Sequence, residues 1–245
     1  MKAYIKMFNV ALCITITLFA SVVDAKNTRP SSIAANYYVT KNGQPFANIK
    51  EQFTASGDTY KIESITKGIG VYALFGERKL TSVGDITEEG LRPVRFELQQ
   101  GNNPKKALVA DFDWATNTLR MQVKGTVKEA TLSAGTQDLA SYAYQFMFLP
   151  APLKNTITVN LTTGKKLNQY NYKINARPEI ITSTSEDIKK TYKTLHLTPL
   201  QSDPLQTETK ELWLSVSQHY LPVQILLVDD NGQKLEQTLT ELHID

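Results

Sequence analysis

The residues of this chain whose types could do chemistry are few and scattered: three histidines, one close carboxylate pair, one acidic turn and one serine of interest. His196, His219 and His243 each lie in a strand-like stretch beside apolar residues. None is spaced as His-x-His or His-x-x-x-His, so a zinc site would need distant strands to converge. Asp111 and Asp113 fall on one face of a strand that runs into the Ala115–Asn117 turn. Paired carboxylates can do acid–base work or hold calcium, but aspartate ahead of a turn more commonly caps backbone amides. Asp229-Asp230-Asn231-Gly232 reads as a hairpin rather than a calcium loop, because no glutamate follows at the required spacing. Ser141 sits in a helical pattern, without the strand-to-helix elbow that exposes a nucleophilic serine. The expectation is a protein without catalytic residues, metal or cofactor. A hydrolase built on Asp111, Asp113 and His196 is the weakest alternative.

Aromatic side chains are the more promising material. Tyr72, Phe96, Trp114, Tyr142, Phe146, Phe148 and Trp213 mostly build core, but the same set suits a cavity that receives an apolar ligand.

The elements that must position these residues are strands. Tyr60–Ser64, Val94–Leu98, Thr156–Leu161, Leu195–Leu197 and Leu212–Val216 alternate apolar with other residues, the mark of a half-buried strand. Asn231-Gly232 between Val223–Val228 and Leu235–Leu242 is a strong hairpin signal, and Thr162-Thr163-Gly164 separates another strand pair. Roughly ten to twelve strands are expected, at the spacing of a sandwich or barrel. The stretch from Thr136 to Phe148 breaks the alternation. It predicts a helix of about three turns, capped by Thr136, with Asp138 at its positive end and Pro150 and Pro152 stopping it. Being apolar nearly all round, it should be buried on more than one side. The predicted fold is all-β: a strongly curved antiparallel sheet or incomplete barrel, with this helix packed on its open side.

Residues 1–25 read as a secretory signal peptide, with Lys2 and Lys6 ahead of an apolar run and cleavage expected after Ala25. The run is too short and too interrupted by polar residues for a spanning helix. Leu12 before Cys13 argues against lipid attachment. Cleavage removes the only cysteine, which excludes disulfides, thiolate metal sites and a thiol nucleophile. Residues 26–33 read as a flexible leader and 34–245 as one domain. Removing Lys2, Lys6 and Asp24 leaves 25 basic against 23 acidic residues, too even a balance for a nucleic-acid footprint. Lys105-Lys106, Lys165-Lys166 and Lys189-Lys190 read as isolated solvated pairs near turns.

Four phrases occur in order: Gly90-Leu91-Arg92-Pro93, Ala110-Asp111-Phe112-Asp113-Trp114, Gly135-Thr136-Gln137-Asp138 with Ser141, and Leu221-Pro222-Val223. Together they resemble an exported proteobacterial family of unknown function (domain of unknown function 3108), from about Tyr37 to Leu242. Ala140 departs from the spacing to Ser141 expected there. The resemblance implies a periplasmic, signal-bearing, antiparallel β protein and implies no reaction. Arg92, if buried beside Asp111, Asp113 or Asp138, would form a charge-assisted cluster, either a structural clasp or an anchor at a cavity mouth. The functional expectation is a non-enzymatic periplasmic protein that binds or carries an apolar or amphipathic, lipid-like ligand. The alternative is a cell-envelope scaffold or assembly partner with a filled core. Neither nucleic acid nor a membrane span after signal cleavage is expected.

Overall fold

Alternation in the first strand carries directly into burial: Ile33, Ala35, Tyr37 and Val39 are buried and the residues between them are half-buried. The computed structural model describes residues 30–149, 152–175, 178–185, 188–200 and 208–245. Its first eight strands are β1 Ser32–Lys41, β2 Gln44–Ser56, β3 Thr59–Gly68, β4 Arg78–Thr87, β5 Gly90–Gln100, β6 Leu108–Asp113, β7 Thr118–Val123 and β8 Thr126–Thr131. The short strand β9 Gln137–Asp138 and helix α1 Ser141–Phe148 follow. The second half is β10 Thr156–Thr162, β11 Leu167–Ile174, β12 Glu179–Ser185, β13 Ile188–Pro199, β14 Thr209–Ser215, β15 Pro222–Val228 and β16 Lys234–Ile244.

Strands β1 to β8 form an antiparallel meander, and β16 pairs with β1 to join the two halves into one sheet. The order ends at β8 on one side and at β9, parallel to β10, on the other. The ladder does not close, yet the two sides meet. The Gln137 amide on β9 donates to the Leu91 carbonyl on β5 at 2.8 Å. The turn after β10 packs against Phe96 and Leu108, and Thr162 donates to the Met121 sulfur. A register shift between Val83 and Gly84 tightens the curl there. A side chain at Gly84 would stand 2.3 Å from the Arg92 carbonyl, so only glycine permits that approach. Strand β12 pairs only with β13, and that hairpin reaches β16 through the Ser183 hydroxyl on the Leu239 carbonyl.

Helix α1 fills the inside of this open barrel. Tyr144 and Phe146 are fully buried, and Phe53 of β2 lies between the Tyr144 and Phe148 rings, with centroids 5.6 and 5.3 Å away. Leu139 and Tyr142 touch both of the larger hydrophobic clusters, so the helix joins the two halves of the core. The all-β architecture expected from the sequence is the one present.

Several details differ from the expectation. The helix is about two turns rather than three, because Gln137 and Asp138 spend their backbone on pairing with Leu161 and Thr162. Its start is fixed by Asp138, not Thr136. Asp138 Oδ1 accepts from the Ala140 and Ser141 amides at 2.8 and 2.9 Å, and the Asp138 amide donates to Ser141 Oγ at 3.0 Å. That reciprocal pair closes the turn leading into the helix with the bond pattern of a capping box, although Asp138 itself lies in β9 and Ala140 is the N-cap. Thr136 instead donates to the Ser133 carbonyl. Sixteen strands appear among the described residues; polar β8 and two-residue β9 carry no apolar alternation to betray them. Strand β1 opens at Ser32 with Ile33 fully buried, inside the stretch read as leader. Residues 1–25 lie outside the described residues. No described helix is long and apolar enough to cross a membrane.

Asp138 makes the helix start sensitive to pH. Burial pushes its carboxyl up to about 6, against the opposing pull of hydrogen bonds from Ser82, Ser141 and Ala140. The folded state therefore holds this proton more tightly than the unfolded chain. Its contribution is most favourable below about pH 4 and falls as pH rises through 6, a cost of about 3 kcal/mol once ionised. Asp138→Asn keeps the Oδ1 acceptor and removes the charge. Urea unfolding should show the variant gaining on the parent by up to about 3 kcal/mol between pH 4 and 7.5. A pH-independent difference would contradict this assignment.

Candidate functional site

In an antiparallel meander, the turns that follow odd-numbered strands lie at one end. Here those turns include Gly101–Ala107 with Lys105 and Lys106, and Lys124-Gly125. The opposite turns carry Asp58, Glu88 and Glu89. At the lysine-bearing end a cleft of about 740 Å³ opens into the sheet, walled by Phe46, Tyr72, Leu98, Leu108 and Val123. Lys105, Lys106, Lys124 and Lys165 stand around it, the last contributed by the turn after β10.

The mouth is shaped by the connection between β3 and β4, whose Gly70–Phe75 segment forms a 3-10 turn. Gly68 makes this possible: a side chain there would stand 2.3 Å from the Tyr72 carbonyl. Tyr72 packs edge-on against Phe46, with centroids 4.6 Å apart. The Gln100 amide donates to the Phe75 and Gly76 carbonyls at 3.0 and 3.2 Å, and so ties the turn to β5. Val71, Leu74 and Phe75 are left 72%, 88% and 66% exposed at its tip.

Inward from the cleft is a smaller cavity of about 210 Å³, which shares Phe46, Ala47, Thr66 and Arg78 with it and reaches Glu51, Tyr142 and Lys210. Lys210 on β14 is only 6% exposed. Its ammonium lies 4.6 Å from the Tyr142 ring centre and 5.5 Å from that of Tyr170. Burial pushes its pKa down to about 8, Glu208 opposing and Arg78 adding to the fall. Arg78 on β4 is half-buried, and burial lowers its pKa as well. Neither cation has a carboxylate within ion-pair distance among the described residues. Glu51 accepts from Ser64 and Tyr144 at 3.0 and 3.1 Å, and burial still pushes it up to about 7. Burial likewise raises the Tyr37, Tyr142 and Tyr144 phenols.

The seven aromatics singled out in the sequence do not gather at one place. Tyr72 lines the cleft and Tyr142 the inner cavity. Phe146 borders a separate hollow of about 660 Å³ with Leu149, Leu153 and Ile157. Phe96 and Phe148 fill the first core cluster. Trp114 stacks on Phe112 and donates to the Pro93 carbonyl at 2.7 Å. Trp213 stacks on His196 at 4.1 Å and donates to Glu179.

The expected polar cluster does not form either, because cross-strand register gives each member a different partner. Asp85 stands opposite Arg92 and binds it at 2.7 Å; Asp111 stands opposite Arg95 and binds it at 2.6 Å. Asp113 caps the Thr116 amide and pairs with Arg120 at 3.3 Å. Asp138 is buried without a cation and bonded to Ser82 at 2.6 Å. His196 bridges Glu179 and Glu211 at 3.0 and 2.8 Å, on a different part of the sheet from Asp111 and Asp113. His243 pairs with Asp245, and His219 sits in a left-handed turn. No grouping of histidine, cysteine and carboxylates able to hold a metal occurs among the described residues.

Arg78, Glu51 and Lys210 were not singled out in the sequence, although a signal for them existed. Each shares inward parity with buried neighbours: Arg78 with Leu80 and Ser82, Glu51 with Phe53, Lys210 with Leu212 and Leu214. Of the lysines read as isolated pairs, Lys105 and Lys106 reach the cleft rim with Lys124 by the turn parity of the meander and Lys165 by the turn after β10, whereas Lys189 and Lys190 lie in the β12–β13 hairpin away from it.

A buried base with a depressed pKa costs stability at every pH below its folded value, and the cost fades as pH climbs toward the unfolded value. For Lys210 that window runs from about 8 to 10.5. Lys210→Met keeps the stem and removes the charge. It should stabilise the protein at pH 7 by up to about 3 kcal/mol, the advantage shrinking between pH 8 and 10. Paired melts of parent and variant across that range check it, and a variant less stable at pH 7 would refute it.

No curated protein matches the chain. Among solved structures, the beta-barrel-like protein of domain of unknown function DUF1849 from Brucella abortus superposes with a TM-score of 0.60. The match covers 89% of this chain and 99% of that one at 10% identity, a likeness that establishes the fold alone. A family model described as protein of unknown function (DUF3108) matches residues 32–240, which takes in the cleft, the helix and the inner cavity. The chain therefore belongs to the DUF3108 family.

Proposed function

We propose that this protein is a non-enzymatic binder of an amphipathic, lipid-like ligand, which it holds in the cleft at the lysine-bearing end of the sheet. The observation that carries the reading is the cleft itself: about 740 Å³, with an apolar wall and a rim of four lysines. That volume lies within the range of small-molecule sites, which are mostly apolar with a few placed polar groups. The exposed Val71, Leu74 and Phe75 beside the mouth extend the apolar surface outward, where a chain could enter. Pairing of Asp111, Asp113 and His196 with separate partners supports a binding role over a hydrolytic one. The signal-like residues 1–25 support a periplasmic setting.

A second reading, an envelope scaffold or assembly partner, draws on the sheet edge. Among the described residues strand β8 pairs only with β7, and its Val127 is 56% exposed. A partner strand could extend the sheet there.

Thr66 is one of the four residues that line both cavities. Protein recovered from the periplasm should release lipid-like molecules on extraction and carry about one per chain in native mass spectrometry. Thr66→Trp should reduce that occupancy by about tenfold or more through loss of space, with its melting temperature little changed. A ligand-free parent that binds no apolar probe would favour the scaffold.

A further inference from the structure

We propose that Arg78 and Lys210 form a receptor for the anionic headgroup of that ligand, a carboxylate or a phosphate ester, at the junction of the cleft and the inner cavity. This rests on the reading above that the cleft receives an amphipathic molecule, and it names the class of that molecule.

Three observations converge. Lys210 is nine-tenths buried, and among the described residues its ammonium lies over the ring faces of Tyr142 and Tyr170. The Lys210 ammonium makes no hydrogen bond to the described residues, and Lys210 lines the inner cavity. Arg78 lines the same cavity and the cleft beyond it, and no described side chain pairs with its guanidinium. Arg78 also acts unfavourably on Lys210, so the two cations lie within electrostatic reach of one another.

Two cations at one partly enclosed cavity are costly unless an anion pairs with them directly. Ring faces give a buried ammonium only part of what an anion would. The nearby carboxylates act from a distance without pairing with either cation among the described residues. Glu208 acts favourably on Lys210 while accepting from the Tyr170 hydroxyl at 2.7 Å, and Glu51 in the cavity wall accepts from Ser64 and Tyr144. An oxyanion between Arg78 and Lys210 would take charge-assisted hydrogen bonds from both. Its apolar chain would then run outward along Phe46, Leu98 and Leu108, toward the lysines at the mouth.

The test uses calorimetry on the full chain with dodecanoate, dodecyl phosphate, dodecanol and inorganic phosphate as probes. Dodecanoate and dodecyl phosphate should bind at least about tenfold more tightly than dodecanol, as expected for charge-assisted bonds in a buried site. Lys210→Met and Arg78→Met should each erase most of that preference, bringing the affinities for dodecanoate and dodecanol to within about twofold of one another. Arg78→Met carries the test alone should Lys210→Met fail to fold. Equal binding of the acid and the alcohol by the parent would overturn the headgroup site and leave the cleft as an apolar carrier. No binding by any of the three chain-bearing probes would overturn both readings. Inorganic phosphate binding as tightly as dodecyl phosphate would overturn the assignment to a lipid headgroup in favour of a free anion.

Discussion

The packing of Phe53 between Tyr144 and Phe148 is the contact on which the rest of the molecule depends. A sheet that curls without closing leaves its inner face unfilled, and an unfilled interior forfeits both the transfer free energy of its lining and its dispersion contacts. Helix α1 supplies that filling. Its position is enforced by one carboxylate: Asp138 joins β4 through Ser82 to the first turn of α1, while its own backbone is tied to β10. Burying an ionisable group at this joint costs stability, and the hydrogen bonds it accepts offset much of that cost. A single residue thus decides where strand ends and helix begins, and therefore which helical faces meet which half of the core.

The cleft follows from what the helix does not fill. Eight residues of helix span only about 12 Å, whereas β2 alone is 13 residues long. The lysine-bearing end of the sheet is consequently lined by strand side chains without helical cover, and the turn at Gly70–Phe75 folds down onto Phe46 to wall it. Meander parity then gathers Lys105, Lys106 and Lys124 on one rim although they are apart in sequence, because turns two strands apart fall at the same end. The Asp229-Asp230 turn lies at that end as well, where the Lys234 amide bonds to Asn42.

This explains what could be read from the chain and what could not. Period-two alternation and the Asn231-Gly232 turn are local signals, and local structure obeyed them in β1, β3, β15 and β16. The apolar stretch around Tyr144 and Phe146 was recognisable as buried helix, because it breaks the period-two alternation, follows residues that cap helices and is stopped by Pro150 and Pro152. Its boundary was not, since Thr136 and Asp138 are equally good caps by type and only the pairing of Gln137–Asp138 with Leu161–Thr162 decides between them. The charged residues failed for a related reason. Asp111 is separated from Arg92 and given to Arg95 by register, a property of two strands jointly and of neither alone. Lys210 and Arg78 carried an inward parity that was visible, but charge normally overrides parity as a sign of exposure. Where it does not, the exception points to function more often than to packing.

That exception bears on stability as well. Replacing a buried cation by an apolar residue of similar volume commonly stabilises a fold, so a chain that keeps Lys210 buried with half-buried Arg78 near it is carrying a cost that packing does not return. Tyr142 and Tyr170 reduce the cost through their ring faces, and Tyr142 does so from the same helix that completes the core. The helix thereby couples the two properties of the molecule. The side that carries Tyr144 holds the sheet together, and Tyr142 holds Lys210 at the cavity wall, where an incoming anion would find it already stripped of water. A receptor prepared in this way gives up part of its folding stability in exchange for a smaller reorganisation on binding.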